Sequence, residues 1–270
     1  MLIDTHCHLD AAEFAADRAQ IAAQALALGV AAIVVPAVSR ANFDQVIQLA
    51  MQQRHCFYAL GIHPLFVDQA ADDDIASLEA YIQSHDAVAI GEIGLDYFVH
   101  KPRLNPENIE RQIFFFGEQL KIAQRYDLPV LLHVRHAVDD VLKYLRRYPV
   151  VAGIAHAFNG SLQQAEQFIE LGFKLGFGGA MTYSRALKIR ALAEKLPLES
   201  IVLETDAPDM APSWLPANDR NSPLQLLQIA QVLADLRQVN VAQVIDITGR
   251  NAVKVLPKLA DLCTPPHVLL

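Results

Sequence analysis

Cysteine is scarce in this chain: Cys7, Cys56 and Cys263 are the only three among 270 residues, scattered and odd in number. They cannot make a disulfide framework, which points to a reducing compartment. Positive charge is also short, with 22 Lys and Arg against 30 Asp and Glu, a net charge of -8. That excludes a protein that coats nucleic acid without regard to sequence, which needs a basic surface. It leaves room for a local basic mouth on an enzyme. Long apolar runs are missing: the longest, Val30 to Val38, is too short to span a bilayer and contains Pro36. The opening MLIDTHCHLD has no basic stretch followed by an apolar core, so no signal peptide is expected. The expectation is a cytoplasmic protein with no membrane partner, acting as a monomer.

What is present is apolar. Charged residues make up only 19%, below the roughly 25% of average chains, and the mean hydropathy is +0.21. Such a chain hides much of itself, as a parallel sheet covered by helices does. At this length roughly 75% of the unfolded surface is buried on folding, so no staple is needed and disorder is excluded.

Short β-branched or apolar runs alternate with helix-length amphipathic stretches. Strands are expected at Leu2–His8, Ala31–Val38, Cys56–Gly61, Ala87–Gly94, Pro129–Val134, Val151–Ala157, Lys174–Phe177 and Ile201–Thr205. Helices are expected at Ala41–Gln53, Asp74–His85, Asn108–Tyr126, Val138–Tyr148, Leu162–Leu171 and Arg185–Lys195, with Leu224–Leu236 and Val241–Leu256 closing the chain. Parallel strands need crossover helices, and eight such units match an α/β fold of the (β/α)8 TIM-barrel type, one domain spanning residues 1–270. The alternative is a doubly wound open sheet, but no Gly-rich phosphate turn follows the first strand.

Nearly every expected strand ends in polar, reactive residues: His6 and His8, His63, Glu92 and Asp96, His133 and Arg135, His156, Glu204 and Asp206. In a barrel these ends converge on one face. Residues two apart on a strand share a side, so His6 and His8 face the mouth together while Cys7 points away as a small buried hydrophobe. Glu92 follows an apolar run where an ionised carboxylate is costly unless paired or metal-bound, and Arg135 is a candidate ion-pair partner. Glu204 and Asp206 share one side if the strand runs that far, so that one can ligate and act as general base while the other orients. Asp206 could instead cap a helix. Four histidines and two acids exceed one open tetrahedral site and suit two metal ions, which activate water and clamp the attacking and leaving oxygens. Zn, Mn, Fe and Ni suit the donors, and Mg more weakly.

In order, DTHCHL, GIHP, GEIGLDY, PVLLHVR, HAFNG and LETDAPDM resemble the motifs of the TatD family of metal-dependent hydrolases in the amidohydrolase superfamily. The resemblance covers nearly the whole chain and comes close to the YjjV-like bacterial branch. It implies one metal held by His6, His8, Glu92 and Asp206, and a second held by Glu92, His133 and His156, with Glu92 bridging. It implies that Asp206, with Glu92, is catalytic and takes the proton of the attacking water, and that His63 binds or polarises the substrate phosphate. Arg135 and Glu204 are further substrate-contact candidates. The resemblance also implies deoxyribonuclease or 3′-5′ exonuclease activity on DNA or a nucleotide substrate. Ala157 and Asn159 depart from the family's usual HCFSG stretch without touching a ligand. Asp209 stands where an aromatic is common and sets negative charge near the mouth, unfavourable to a tightly bound polyanion.

A basic rim is expected from Arg40, Lys101, Arg103, Arg135, Arg185, Lys188 and Arg220, and base stacking from Phe66, Tyr97, Phe98, Phe158, Tyr183 or Trp214. Two other readings keep the fold: hydrolysis of a small phosphoester, amide or lactone, and a non-catalytic scaffold, which the filled ligand positions disfavour. Asp72–Asp74 reads as a helix start and Phe114–Phe116 as packing. His55, His85, His100 and His267 read as solvated, and His136 as a secondary substrate contact.

Overall fold

Eight runs of apolar residues become strands of one sheet: β1 (Leu2–Asp4), β2 (Val30–Pro36), β3 (Cys56–Leu60), β4 (Ala89–Asp96), β5 (Val130–Arg135), β6 (Gly153–Ala155), β7 (Phe173–Phe177) and β8 (Ile201–Leu203). Each pairs in parallel with the next, in the order of the chain. Thr5 N donates to Leu203 O at 3.0 Å and Asp206 N to His6 O at 2.8 Å, which draws β8 back against β1. The computed structural model describes residues 1–98, 105–216 and 218–263, and its architecture is a (β/α)8 TIM barrel. No helix among the described residues is long and apolar enough to cross a membrane.

The crossovers are α1 (Arg18–Ala27), α2 (Phe43–Gln52), α3 (Asp74–Ser84), α4 (Pro106–Arg125), α5 (Val138–Arg147), α6 (Leu162–Glu170) and α7 (Leu187–Lys195), followed by α8 (Leu226–Arg237) and α9 (Val241–Val255). Sequence pattern alone does not show α1, because an alanine-rich helix burying only Ile21, Ala22 and Ala25 carries little contrast between its faces. Local chemistry sets several helix starts. Asn105 accepts from Asn108 N with Pro106 behind it, and Ser161 with Gln164 forms a capping box. Asp74 opens α3 as expected. Phe115 and Phe116 pack inward, whereas Phe114 on the same turn is exposed.

Two apolar layers follow from strand alternation. The outward side chains meet the helices. The inward ones, among them Ile3, Val34, Ala59, Leu131, Ile154 and Val202, fill the barrel and continue into Ala252, Val255, Leu256 and Leu259 from α9 and the turn after it. The end of α9 therefore plugs the bottom of the barrel, and polar groups collect at the top.

Five strands, β1, β2, β3, β6 and β8, stop earlier than their apolar patterns suggest, and three of them lead into site residues. β1 ends at Asp4, β6 at Ala155 and β8 at Leu203, so His6, His8, His156, Glu204 and Asp206 lie just beyond regular strand. The backbone there leaves the ladder: Ala157 and Asp206 have φ of 45° and 55°, and His136 beyond β5 has 57°. Left-handed conformations cost a non-glycine residue roughly 1–2 kcal/mol each and cluster at functional sites. His55, expected to be solvated, is buried, with its Nε2 3.0 Å from Ala22 O. His100, Lys101, Arg103 and His267 lie outside the described residues.

Leu256→Ala is expected to open a void in the barrel plug and cost about 2–5 kcal/mol. Chemical denaturation checks this, and a loss below about 1 kcal/mol would mean that Leu256 does not seal the barrel.

Candidate metal centre

The axis of the barrel top is occupied by one carboxylate. Glu92 is 1% exposed and sits where β4 shifts register against β5, between Ile90 and Ile93. His6 Nε2 lies 3.1 Å and His8 Nε2 3.3 Å from Glu92 Oε2, and the two nitrogens are 3.3 Å apart. His156 Nε2 lies 2.9 Å and His133 Nδ1 3.0 Å from Oε1, and these nitrogens are also 3.3 Å apart. Each oxygen of Glu92 thus completes a nearly equilateral triangle of donors. Asp206 Oδ1 approaches the first triangle, 3.6 Å from His6 Nε2 and 3.8 Å from His8 Nε2.

These spacings fit metal binding. Ligand atoms about 2.0–2.2 Å from an ion stand about 3.0–3.5 Å from one another along the edges of its polyhedron. Two histidine nitrogens facing each other at 3.3 Å in both triangles cannot both keep their protons on the inner side. Their shared need is a cation between them. His6 and His156 moreover stack with centroids 3.9 Å apart, and the Nδ1 atoms of both are buried without a hydrogen-bond partner among the described residues. Divalent cation binding is the chemistry this donor set supports, with imidazole and carboxylate compatible with several first-row metals.

The electrostatics say the same. Burial would raise the Glu92 carboxyl, but the surrounding histidines, His63, His6 and His156 foremost, hold it well below the usual range. Burial and the charge of His156 push His6 down to about 3. Against the same burial, Glu92 lifts His8 to about 9 and, with Asp206, lifts His156 to about 10. The cluster demands positive charge at its centre, which protons on some rings or a bound cation can supply.

His63 is part of the cluster in a different way. Its Nε2 lies 3.3 Å from Glu92 Oε1, but its Nδ1 accepts the Leu65 amide at 3.0 Å. Burial pushes its pKa down to about 4, so the ring is neutral and its proton must sit on Nε2. His63 therefore presents a donor to the cavity. His133 is oriented from behind by Asp96, whose Oδ2 lies 2.9 Å from Nε2 while Oδ1 accepts the Phe98 amide at 2.8 Å. This pairing of a carboxylate with a histidine that faces a metal position is a common orienting device. The strand-end pattern brings Asp96 to the mouth but does not show which ring it holds.

Two sequence expectations need correction. Glu204 does not reach the cavity. It is buried beneath His156, 4.0 Å from its Nδ1, and accepts the Ala157 amide at 2.5 Å. Because β8 stops at Leu203 and Asp206 turns left-handed, the two carboxylates do not share a side. Gly176 makes room for Glu204, since a Cβ there would strike its carboxylate. Arg135 is not the ion-pair partner of Glu92. It stacks over the Phe98 ring at 3.9 Å on the cavity wall.

The cavity above the cluster has a volume of about 1080 Å³. Of the expected cationic rim, Arg135 and Lys188 line it. Arg40 lies over Tyr81, Arg185 over Tyr183, and Arg220 pairs with Asp17. Of the expected stacking residues, Phe66 and Phe98 line it, and His136 does so as well. Phe158 is buried, while Tyr97, Tyr183 and Trp214 are held by hydrogen bonds to Asp140, Ala211 and Gln225.

The sequence profile of the family described as "TatD related DNase" matches residues 3–257. The chain is similar to the "Uncharacterized metal-dependent hydrolase YjjV" of Escherichia coli K12, 43% identical over 239 residues, 87% of this chain and 90% of that one. It is also similar to the "3'-5' ssDNA/RNA exonuclease TatD" of Erwinia billingiae, 30% identical over 243 residues, 87% and 91% of the two chains. The crystal structure of Escherichia coli YjjV matches the fold with a TM-score of 0.87 at 40% identity, over 95% of this chain and 98% of that one.

Glu92→Gln keeps the side-chain volume and removes the charge that both triangles share. After equilibrium dialysis against Zn or Mn, the variant is expected to retain less metal by at least about tenfold. Elemental analysis of the two proteins checks this, and equal metal content would remove Glu92 from the centre.

Proposed function

This chain belongs to the TatD related DNase family, and from that premise we propose a phosphodiesterase-type metal-dependent hydrolase acting on DNA or a nucleotide substrate. The observation that carries the reading is the pair of donor triangles sharing the two oxygens of Glu92. His6, His8, Glu92 and Asp206 would hold one divalent cation, and Glu92, His133 and His156 a second. Such a pair supplies Lewis acidity, polarising the phosphoryl group and making water a nucleophile near neutral pH.

The chain's own groups do the rest. Asp206 takes the proton of the attacking water on its carboxylate: its side chain is 13% exposed against 2% for Glu92, so it alone of the two meets solvent. Burial raises the Asp206 pKa from its ordinary value, which makes it a stronger base. His63 donates from Nε2 to a non-bridging phosphate oxygen. Asp96 holds the His133 ring with its Nδ1 turned to Glu92. Arg135 and Lys188 supply the positive wall that an anionic substrate meets first. The substrate name carried by the Erwinia relative supports a nucleic-acid end as the target.

The test is hydrolysis of an end-labelled single-stranded oligonucleotide by protein stripped with chelator and resupplied with Mg, Mn or Zn. Cleavage is expected to return with metal, and Asp206→Asn to lower kcat by roughly 10²–10⁴-fold. No cleavage of oligonucleotide or dinucleotide by a protein that holds its metal would overturn the phosphodiesterase reading in favour of a small phosphoester, amide or lactone.

A further inference from the structure

The cavity wall is electrically two-sided, and the strand order says where the sides lie. In a ring of eight strands, the loops after β8 and β1 stand across the axis from those after β4 and β5. The end of β5 and the loops after β4 and β5 bring Arg135, Phe98 and His136 to the wall, and Lys188 of α7 leans towards them with its Nζ 2.8 Å from the Asn159 carbonyl. The loops after β1 and β8 bring Asp10, Glu13 and Asp209. Two of these acids, Glu13 and Asp209, are exposed. Asp10 is 6% exposed, and one of its carboxylate oxygens, Oδ1, is buried with no hydrogen-bond partner among the described residues. The cations nearest this wall are already engaged. Arg18 donates to the carbonyls of Leu9, Asp10 and Ala11, and Arg220 pairs with Asp17 and donates to the Glu13 carbonyl. Neither lines the cavity.

We propose that this acidic wall makes the enzyme selective for short diesters, with a dinucleoside monophosphate as the minimal substrate, over a long strand. The inference rests on the phosphodiesterase reading and deepens it. The scissile phosphate sits over the Glu92 cluster, and the nucleoside on the β4–β5 side meets the exposed Phe98 side chain with the Arg135 guanidinium stacked on its ring. Across the axis, the partner nucleoside meets Asp10, Glu13 and Asp209. An uncharged nucleoside with a free end suits them, because its sugar hydroxyls and amino groups donate hydrogen bonds to carboxylates. A strand that continues in that direction sets its next phosphate against two or three negative charges, and like charges brought together in a cleft are strongly disfavoured. Glu13 and Asp209 are therefore specificity-determining residues that discriminate by repulsion.

The sign of the salt effect separates this arrangement from an ordinary basic nucleic-acid surface. A basic surface loses affinity as salt rises. A repelling wall loses its repulsion instead, as the Debye length falls from about 30 Å at 0.01 M to about 8 Å at 0.15 M. The experiment measures kcat/KM and KM of the Mn-loaded protein on a dinucleoside monophosphate and on a long single-stranded oligonucleotide at these two ionic strengths. The same is done for the Glu13→Gln/Asp209→Asn double variant, whose two changes are on exposed side chains. The wild type is expected to favour the dinucleotide, with an oligonucleotide KM that stays level or falls as salt rises. In the variant, the ratio of oligonucleotide to dinucleotide kcat/KM is expected to rise about tenfold, and the oligonucleotide KM to climb with salt. An unchanged ratio, with the same salt slope in both proteins, overturns the acidic wall and leaves the phosphodiesterase reading standing. Failure of both proteins to cleave either substrate while retaining metal overturns both.

Discussion

Everything at the top of this barrel answers to one constraint: Glu92 is a carboxylate almost wholly removed from solvent. An isolated buried charge of that kind costs far more than a small domain can sustain. The chain meets it with rings from four other strand ends. His6 and His8 come from beyond β1, His63 from beyond β3, His133 from β5 and His156 from beyond β6, all within 3.3 Å of one Glu92 oxygen or the other. No local segment could assemble this set. Only a closed parallel barrel brings strand ends so distant in sequence to one axis, so the fold and the site are solved by the same geometry.

Short strands at this end would leave the backbone unpaired if side chains did not replace the ladder. Asp4 does this between β1 and β8, accepting the Thr205 amide at 2.9 Å and its hydroxyl at 2.6 Å. Asp96 does it between β4 and β5 through His133 and the Phe98 amide, while Gln112 of α4 pairs with the backbone of Asp96. Glu204 does it between β8 and the turn after β6, through the Ala157 amide. Burial pushes Asp4 up to about 7 and Glu204 up to about 8, so both can hold a proton near neutrality, unlike Glu92 with its histidines. Carboxylates gathered at one end of the barrel thus have opposite tasks. One gathers positive charge, and the others hold the strand ends that aim the rings.

This division also explains what the sequence shows and what it hides. The alternation of apolar runs and amphipathic stretches is a property of single segments, and it places all eight strands and eight of the nine helices among the described residues. Histidines and acids at strand ends are visible for the same reason. The roles of Glu204 and Arg135 are not, because they depend on where β8 stops and on which neighbour takes a guanidinium. A left-handed turn at Asp206 separates it from Glu204, and a stacking contact with Phe98 holds Arg135 on the wall. The pattern of α1 fails on its own alanines. His55 looks like a surface histidine until α1 packs over it and offers the Ala22 carbonyl. For His55 and Arg135 the missing information lies in a partner far along the chain.

The rim obeys different physics from the centre. Changing a buried strut such as Asp4 or Glu204 unpairs buried backbone amides, a loss of roughly 1–3 kcal/mol for each group left unsatisfied. Changing Glu13, Phe98 or Asp209, all exposed, touches little that holds the barrel together, and surface substitutions of that kind typically shift stability by about ±0.5 kcal/mol. The fold therefore fixes the hydrolytic centre while leaving the charge of each wall open. In the proposed arrangement, a barrel carrying the same His and Glu cluster faces a long anionic strand or a short diester according to two or three residues in the loops after β1 and β8. Because those loops follow different strands from the β4–β5 side that carries Phe98 and Arg135, the proposed affinity on one side and repulsion on the other can be set independently.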